Sequence, residues 1–190
     1  MNIMIDTNIV LDDILNRTPN AEYARKIINL VESGELNAYI TANSVTDVFY
    51  IVSKHKGDAI ARKVIRNLLV TFGIVSVDGQ DCLQALELPL NDFEDAIIVV
   101  CAKKASLEYI VTNDKAMLKE NRFGVALVCP VEFLARFDSE FRLQTVLEYP
   151  LFTYSATTQS AASATNVSPE HSNVAKPLYF FATSCTIEIP

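Results

Sequence analysis

Short apolar segments alternate with helix-like segments over the first 137 residues of this 190-residue chain. Five of the segments are short and poor in charge, as expected for buried strands; they lie at residues 1–6, 37–41, 73–77, 109–112 and 125–128. Between them, apolar residues recur at helical spacing, as in Ala24, Ile27, Ile28 and Val31. Strands separated by helices are typical of a parallel sheet with helices on its faces. We therefore predict a three-layer α/β/α fold with a central parallel sheet.

Local signals predict where several helices begin and end. Thr18 followed by Pro19 indicates a helix start. Ser44 is expected to cap the next helix, which would place Asp47 in its first turn. The last helix is expected to run from Pro130 through Phe137. In the helix that precedes residue 73, four apolar residues are expected to face inward; these are Ile60, Val64, Leu68 and Leu69.

The character of the chain changes after about residue 140. Residues 153–175 are dominated by Ser, Thr and Ala, with one acidic and no basic side chain. Such a segment is typical of a linker or a disordered tail. We therefore predict a domain over residues 1–140 and a poorly ordered tail or linker of unknown role over residues 141–190. The apolar stretch 178–190 leaves three alternatives open: a strand, an intermolecular contact, or a non-native extension.

Charge and composition exclude several classes of function. The net charge of −7 argues against passive binding of nucleic acid through a basic surface. No apolar run approaches the roughly 20 residues of a membrane span, and the first residues do not resemble a secretory signal. Cys82, Cys101, Cys129 and Cys185 form no CxxC pair, which favours reduced thiols and a cytoplasmic location. With only two histidines, a zinc site is not expected.

Acidic residues occupy the places where such a fold binds ligands. In an open parallel sheet, ligands bind at the carboxyl ends of the strands. The first predicted strand ends in Asp6 and the fourth is followed by Asp114, while Asp47 and Asp95 lie near the starts of two helices. We therefore take these four aspartates as the candidate catalytic residues.

Carboxylates that converge on one cleft repel one another. Such a cluster is kept where a cation neutralises it or where one member stays protonated. Oxygen ligands without His or Cys suit Mg²⁺ or Mn²⁺. A bound ion of this kind lowers the pKa of water and orients a phosphate, so the cluster indicates phosphodiester hydrolysis.

Each acid also has a purely structural interpretation. Helix capping or turn formation could account for three of them, namely Asp6, Asp47 and Asp114. For Asp92 and Glu94 we favour stabilisation by the dipole at a helix N-terminus. Asp95 differs, because the apolar run of residues 96–102 predicts a buried helix whose first turn points inward.

The same residues resemble the motifs of PIN domains, and most closely the toxin nucleases of the VapC type. The resemblance covers residues 1 to about 137 and follows four motifs in order: Asp6-Thr7-Asn8, Ser44-Val45-Thr46-Asp47, Asp92-Phe93-Glu94-Asp95-Ala96 and Val111-Thr112-Asn113-Asp114. It implies that Asp6, Asp95 and Asp114 bind metal. Asp47 stands where many members carry Glu. Thr7, Asn8 and Asp92 are expected to support the site.

The resemblance also implies a function and its partners. It implies Mg²⁺ or Mn²⁺ as cofactor, RNA as substrate, a homodimer, and a small antitoxin protein as a possible partner, with no membrane involved. Two alternatives stay open: a non-catalytic PIN-fold protein that acts through protein partners, and a PIN nuclease in RNA processing outside toxin–antitoxin systems. A phospho-acceptor domain is disfavoured, because the last strand is followed by Cys129-Pro130 and not by Lys.

Overall fold

Five parallel strands form the centre of the protein. In the computed structural model, which describes residues 1–120 and 123–148 and side chains up to residue 139, the strands are β1 (Asn2–Ile5), β2 (Asn37–Thr41), β3 (Gly73–Val75), β4 (Tyr109–Val111) and β5 (Ala126–Val128). They lie in the order β3-β2-β1-β4-β5, and each neighbouring pair is parallel. The central strand is therefore β1, and its carboxyl end lies between those of β2 and β4.

Helices cover both faces of the sheet. They are α1 (Thr7–Ile14), α2 (Ala21–Glu32), α3 (Ala42–Lys56), α4 (Asp58–Thr71), α5 (Gly79–Leu86), α6 (Phe93–Lys104), α7 (Lys115–Leu118) and α8 (Pro130–Glu148). Successive β1 residues point to opposite faces: Ile3 and Ile5 join a core with α1 to α4 and α8, whereas Met4 joins a second core with α5, α6 and α7. The predicted three-layer α/β/α fold is confirmed.

Helix α6 is buried along most of its length. Every side chain from Ala96 to Ala102 is buried between the sheet and α5. The uninterrupted apolar run predicted this burial correctly. Only the ends of such a helix reach solvent. The packing of the buried residues 96–102 therefore fixes the position of its first turn. That turn carries Glu94 and Asp95.

Two helix starts differ from the prediction. Residues 18–20 form a turn closed by a hydrogen bond from Ala21 N to Arg17 O (2.9 Å), so α2 begins after Pro19 and not with it. Helix α3 begins at Ala42, because the Thr41 hydroxyl accepts a hydrogen bond from Ser44 N (3.1 Å) and thereby caps the helix. Ser44 is consequently inside the first turn, and Asp47 lies in the second turn.

The buried face of α4 is displaced from the predicted one. Ile60 is 40% exposed and Leu69 is 52% exposed, whereas Ala61 and Leu68 are buried. The residues that face the core are Ala61, Val64, Ile65 and Leu68. These positions share one side of a helix. The face is set by close packing of α4 against α3, where the small side chain of Ala61 is fully buried.

Helix α8 is longer than predicted. It runs from Pro130 to Glu148 rather than ending at Phe137, and Phe133 and Phe137 bury their rings in the core. The helix passes residue 140, where the sequence analysis placed the end of the domain. Residues 149–190, which make up most of the predicted tail, lie outside the described residues, so the division into domain and tail stays a prediction. Among the helices described, none combines the length and apolar character that a membrane crossing needs.

Candidate active site

Asp6 and Asp114 meet because β1 and β4 are adjacent strands. Asp6 follows β1, and its backbone N–H donates to Val111 O of β4 (3.0 Å). Its Oδ1 accepts from Asn8 N (3.2 Å), which caps α1. Asp114 caps α7 through Oδ1, which accepts from two backbone N–H groups. Both acids thus fill the structural roles considered for them and also stand at one edge of the sheet.

Thr112 connects these two acids. Its side chain is fully buried, and its hydroxyl donates to Asp6 Oδ2 (2.6 Å) while accepting from Asp114 N (2.9 Å). A single hydroxyl therefore fixes the carboxylate of Asp6 and the backbone of Asp114. The sequence analysis did not select Thr112 as a site residue. The available signal was a threonine at the end of an otherwise apolar, buried strand.

Asp12 provides a second connection that the sequence analysis missed. It lies on α1, is buried, and accepts a hydrogen bond from Asn113 Nδ2 on Oδ2 (3.0 Å). This bond ties the residue before Asp114 to the helix that begins after Asp6. Asp12 also adds negative charge near Asp6, which raises the pKa of Asp6 together with the larger effect of burial and the charge of Asp114.

Asp95 lies in the electric field of the other acids. Burial raises its pKa to about 7, and the negative charges of Asp6, Asp92, Asp114 and Glu94 act in the same direction. Asp92 is the N-cap of α6 and accepts from Glu94 N (2.8 Å), a more specific role than the favoured interaction with the helix dipole. The first turn of α6 is therefore directed at the acidic edge of the sheet.

Glu94 takes part in a tertiary contact that its favoured interpretation did not include. Its Oε1 accepts a hydrogen bond from Thr7 Oγ1 (2.9 Å), and its side chain is close enough to Asp47 for the two charges to interact. Asp47 therefore reaches the cluster through Glu94. Burial raises the pKa of Asp47, and the interaction with Glu94 opposes that rise. A helix-dipole argument sees only the position of Glu94 along α6 and cannot anticipate a bond to the start of α1.

The structure brings the predicted residues together to different degrees. Asp6, Asp95 and Asp114 influence one another electrostatically, and Asp47 joins them through Glu94. The supporting residues differ: Thr7 is buried and bonded through its side chain, Asn8 contributes its backbone N–H, and Asp92 acts as a cap. The catalytic and metal-binding roles of these residues stay predictions.

The central carboxylates of the cluster have no cationic partner among the described side chains, which extend to residue 139. None of Asp6, Asp47, Glu94, Asp95 and Asp114 forms an ion pair with Lys or Arg there, whereas the neighbouring Asp12 has Oδ1 4.0 Å from Arg17 Nη1. In the same part of the chain, no three Asp, Glu, His or Cys side chains stand so that they could hold a metal ion together. The donor atoms are carboxylate oxygens, which fit hard divalent cations. The carboxylate oxygens of the cluster are thus suitable ligands for such an ion, although they do not form a closed cage around it.

Known proteins resemble this chain in sequence and in fold. Ribonuclease VapC1 of Aquifex aeolicus (strain VF5) is 25% identical over 141 residues, covering 72% of this chain and 96% of the relative. Among solved structures, VapBC2 from Rickettsia felis, bound to a promoter DNA fragment, is similar with a TM-score of 0.53 and 18% identity, covering 68% of this chain and 98% of the other. DNA-bound VapBC from Salmonella typhimurium is similar with a TM-score of 0.53, 19% identity and the same coverage.

A family model decides the relationship. The model of the PIN domain matches residues 2–116, a range that begins with β1, contains Asp6, Asp47, Asp95 and Asp114, and reaches into α7. It covers more than half of the chain, and the protein therefore belongs to the PIN domain family.

Proposed function

We propose that this protein is a Mg²⁺- or Mn²⁺-dependent endoribonuclease that hydrolyses RNA phosphodiester bonds, and that it acts as the toxin of a toxin–antitoxin pair. The observation that carries the proposal is the cluster of carboxylates at the carboxyl ends of β1 and β4, which no Lys or Arg of the described residues neutralises. A site that binds metal cations, which in turn orient a phosphate, carries negative charge of this kind. A relative named as a ribonuclease supports RNA as the substrate.

The metal assignment follows the donor chemistry. Asp6, Asp95 and Asp114 would hold the ion, which when bound would lower the pKa of a water molecule and offset charge on the phosphate. Mg²⁺ usually keeps several waters and takes only one or two carboxylates from a protein. A site without three converging protein ligands is compatible with that coordination.

The side chains around the acids would hold them in place for the reaction. Asp6 accepts hydrogen bonds on both carboxylate oxygens, from Asn8 N and from Thr112 Oγ1, so its plane is fixed. Asp114 uses Oδ1 for capping, which leaves Oδ2 for the site. Asp47 would stand at the rim, where its side chain interacts with that of Glu94. Fixed carboxylates reduce the reorganisation that the reaction would otherwise require.

The partners and location follow from this proposal. Structures of similar fold include toxin–antitoxin complexes, among them one from Klebsiella pneumoniae with a TM-score of 0.51 and 20% identity, covering 67% of this chain and 97% of the other. We therefore propose that this protein binds a small antitoxin, forms a homodimer and acts in the cytoplasm, where its RNA substrate would be present.

Cleavage of RNA by the purified protein tests the proposal. We expect cleavage in Mg²⁺ or Mn²⁺, loss of cleavage in EDTA, and recovery when the ion is restored. An Asp6→Asn variant should be inactive. Glu87→Gln removes the same charge at an exposed position at the end of α5 and should cleave normally. Undiminished cleavage in EDTA would refute the metal-dependent mechanism.

The product ends test the nucleophile. We expect 5′-phosphate and 3′-hydroxyl ends, because water and not the neighbouring 2′-hydroxyl is the proposed nucleophile. The alternative mechanism needs a general base and a general acid, commonly a pair of histidines. His55 lies exposed in the last turn of α3, and His171 lies outside the described residues. Products with 2′,3′-cyclic phosphates would contradict the carboxylate mechanism even if the protein cleaves RNA.

A further inference from the structure

Three buried hydroxyl groups lead from the end of β2 to the acidic cluster. Thr41 Oγ1 and Ser44 Oγ lie 2.9 Å apart, Ser44 Oγ and Thr7 Oγ1 lie 2.8 Å apart, and Thr7 Oγ1 is 2.9 Å from Glu94 Oε1. Thr7, Thr41 and Ser44 are all buried. The chain of contacts crosses from β2 and α3 to the start of α1 and then to α6, so it joins segments that are distant in sequence.

The hydroxyl of Thr7 ties Glu94 to this chain. Thr7 Oγ1 is in donor geometry both to Glu94 Oε1 and to Ser44 Oγ, so its one proton is shared between these two acceptors. Thr41 Oγ1 accepts from Ser44 N, and either Thr41 Oγ1 or Ser44 Oγ can donate in the contact between them. Glu94 Oε1 is thereby held by a hydroxyl that is itself fixed by buried neighbours.

Glu94 stands between the two parts of the acidic cluster. Its charge interacts with that of Asp47 on one side and with that of Asp95 on the other. We propose that Glu94 is a positioning residue of the nuclease site, held by the Thr41–Ser44–Thr7 hydroxyl chain so that it orients Asp47 toward Asp6 and Asp95. The inference rests on the proposed nuclease function and adds to it a fifth carboxylate whose place is set by buried hydroxyls.

A simpler role for Glu94 makes a different prediction. An acid in the first turn of α6 stabilises the helix through the dipole, and for that purpose its charge matters and its reach does not. An aspartate at this position would keep the charge but would be one methylene shorter, and would withdraw from Thr7 and Asp47. Glu94→Asp therefore separates a positioning role from a role in helix stability.

The test compares Glu94→Gln, Glu94→Asp, Thr7→Val and Thr7→Ser with the control Glu87→Gln. For each variant, kcat and KM are measured on an RNA oligonucleotide with Mn²⁺, and Mn²⁺ binding without RNA is measured from the electron paramagnetic resonance of the free ion. Circular dichroism melting identifies any variant that fails to fold. Thr7→Ser keeps the hydroxyl, whereas Thr7→Val keeps the shape and removes it.

We expect Glu94→Gln, Glu94→Asp and Thr7→Val to lose roughly 10- to 100-fold in kcat or in Mn²⁺ affinity, the usual effect of removing a group that orients a metal-site carboxylate. Thr7→Ser and Glu87→Gln should behave as the wild type. The inference is overturned if Glu94→Asp retains full kcat and Mn²⁺ affinity, or if Thr7→Ser is as impaired as Thr7→Val. A wild-type protein that neither binds Mn²⁺ nor cleaves RNA would instead remove the proposed function itself.

Discussion

At the scale of single residues, Asp95 shows the conflict between stability and the proposed chemistry. It begins a buried helix and is surrounded by the charges of Asp6, Asp92, Glu94 and Asp114, so its ionised form is disfavoured in the folded protein. A residue selected only for stability would not carry this charge here. Sites under such strain are where function and stability are expected to oppose each other.

Substituting Asp95 separates these two requirements. We expect Asp95→Asn to abolish RNA cleavage while leaving the metal-free protein folded, with a free energy of unfolding equal to the wild type or higher by about 1 kcal/mol. Chemical denaturation in EDTA measures the stability, and a cleavage assay in Mn²⁺ measures the activity. A variant that unfolds would show that the Asp95 carboxylate holds α6 in place and is structural.

Asp13 gives a pH dependence that is independent of the acidic cluster. It lies on α1, with Oδ1 2.7 Å from Arg25 Nε of α2 and a side chain that is 8% exposed. Burial raises the pKa of Asp13 to about 6, although the charge of Arg25 opposes the rise. The folded state therefore binds this proton more tightly than the unfolded state. The stability contribution is present below pH 4 and is lost as the pH rises through about 6.

The comparison of wild type with Asp13→Asn isolates this effect. Between pH 4 and pH 7.5, the wild type should lose stability relative to the variant, by at most about 3 kcal/mol for a shift of two pKa units. The ion pair with Arg25 forms only when Asp13 is ionised, and its effect is already contained in the pKa of Asp13, so the slope carries the information. Parallel stability curves for the two proteins would contradict the raised pKa of Asp13.

At the scale of elements, α4 shows how packing chooses the buried face of a helix. Its apolar residues extend over more than one side, and the sequence pattern therefore permits more than one inward face. In the structure, Leu68 faces the core and is 7% exposed, while the adjacent Leu69 is 52% exposed. Contact with α3 through Ala61 decides between these possibilities.

Two neighbouring leucines provide a matched pair for α4. Leu68→Ala should lower the free energy of unfolding by about 2 to 5 kcal/mol, because it removes a buried side chain and leaves a cavity. Leu69→Ala should change it by no more than about 0.5 kcal/mol, as is usual at an exposed position. Denaturant titration of both variants measures the difference. Equal losses, or a larger loss for Leu69→Ala, would show that the face of α4 is assigned incorrectly.

At the scale of the whole molecule, the last part of the chain is predicted to lie outside the PIN domain. In the part of the chain that the structure describes, the five strands, the acidic cluster and both cores lie within residues 1–137, and α8 ends at Glu148. Removing residues 150–190 is therefore expected to leave RNA cleavage and cooperative unfolding nearly intact. Thermal melting and cleavage by the shortened chain test this expectation. Loss of solubility or of a cooperative transition would show that the apolar stretch 178–190 belongs to the fold.

The sequence by itself determined the order and type of the elements. Hydrophobic periodicity is a local property, so β1 to β5 and the buried helix α6 could be recognised from short windows. The positions of Asp6 and Asp114 followed as well, because parallel strands bring their carboxyl ends to one edge. That both acids also cap helices did not prevent their recognition, since a cap uses only part of a carboxylate.

Only the tertiary structure decided how these elements fit together around the site. The bonds of Thr112 to Asp6 and of Thr7 to Glu94 join residues far apart in the chain, and no local pattern predicts which carboxylate each threonine reaches. They exist because β4 pairs with β1 and because α6 is buried against the sheet, which sets its first turn beside α1. Strand order and helix packing are cooperative properties of many distant contacts, and they alone fix which hydroxyl reaches which carboxylate.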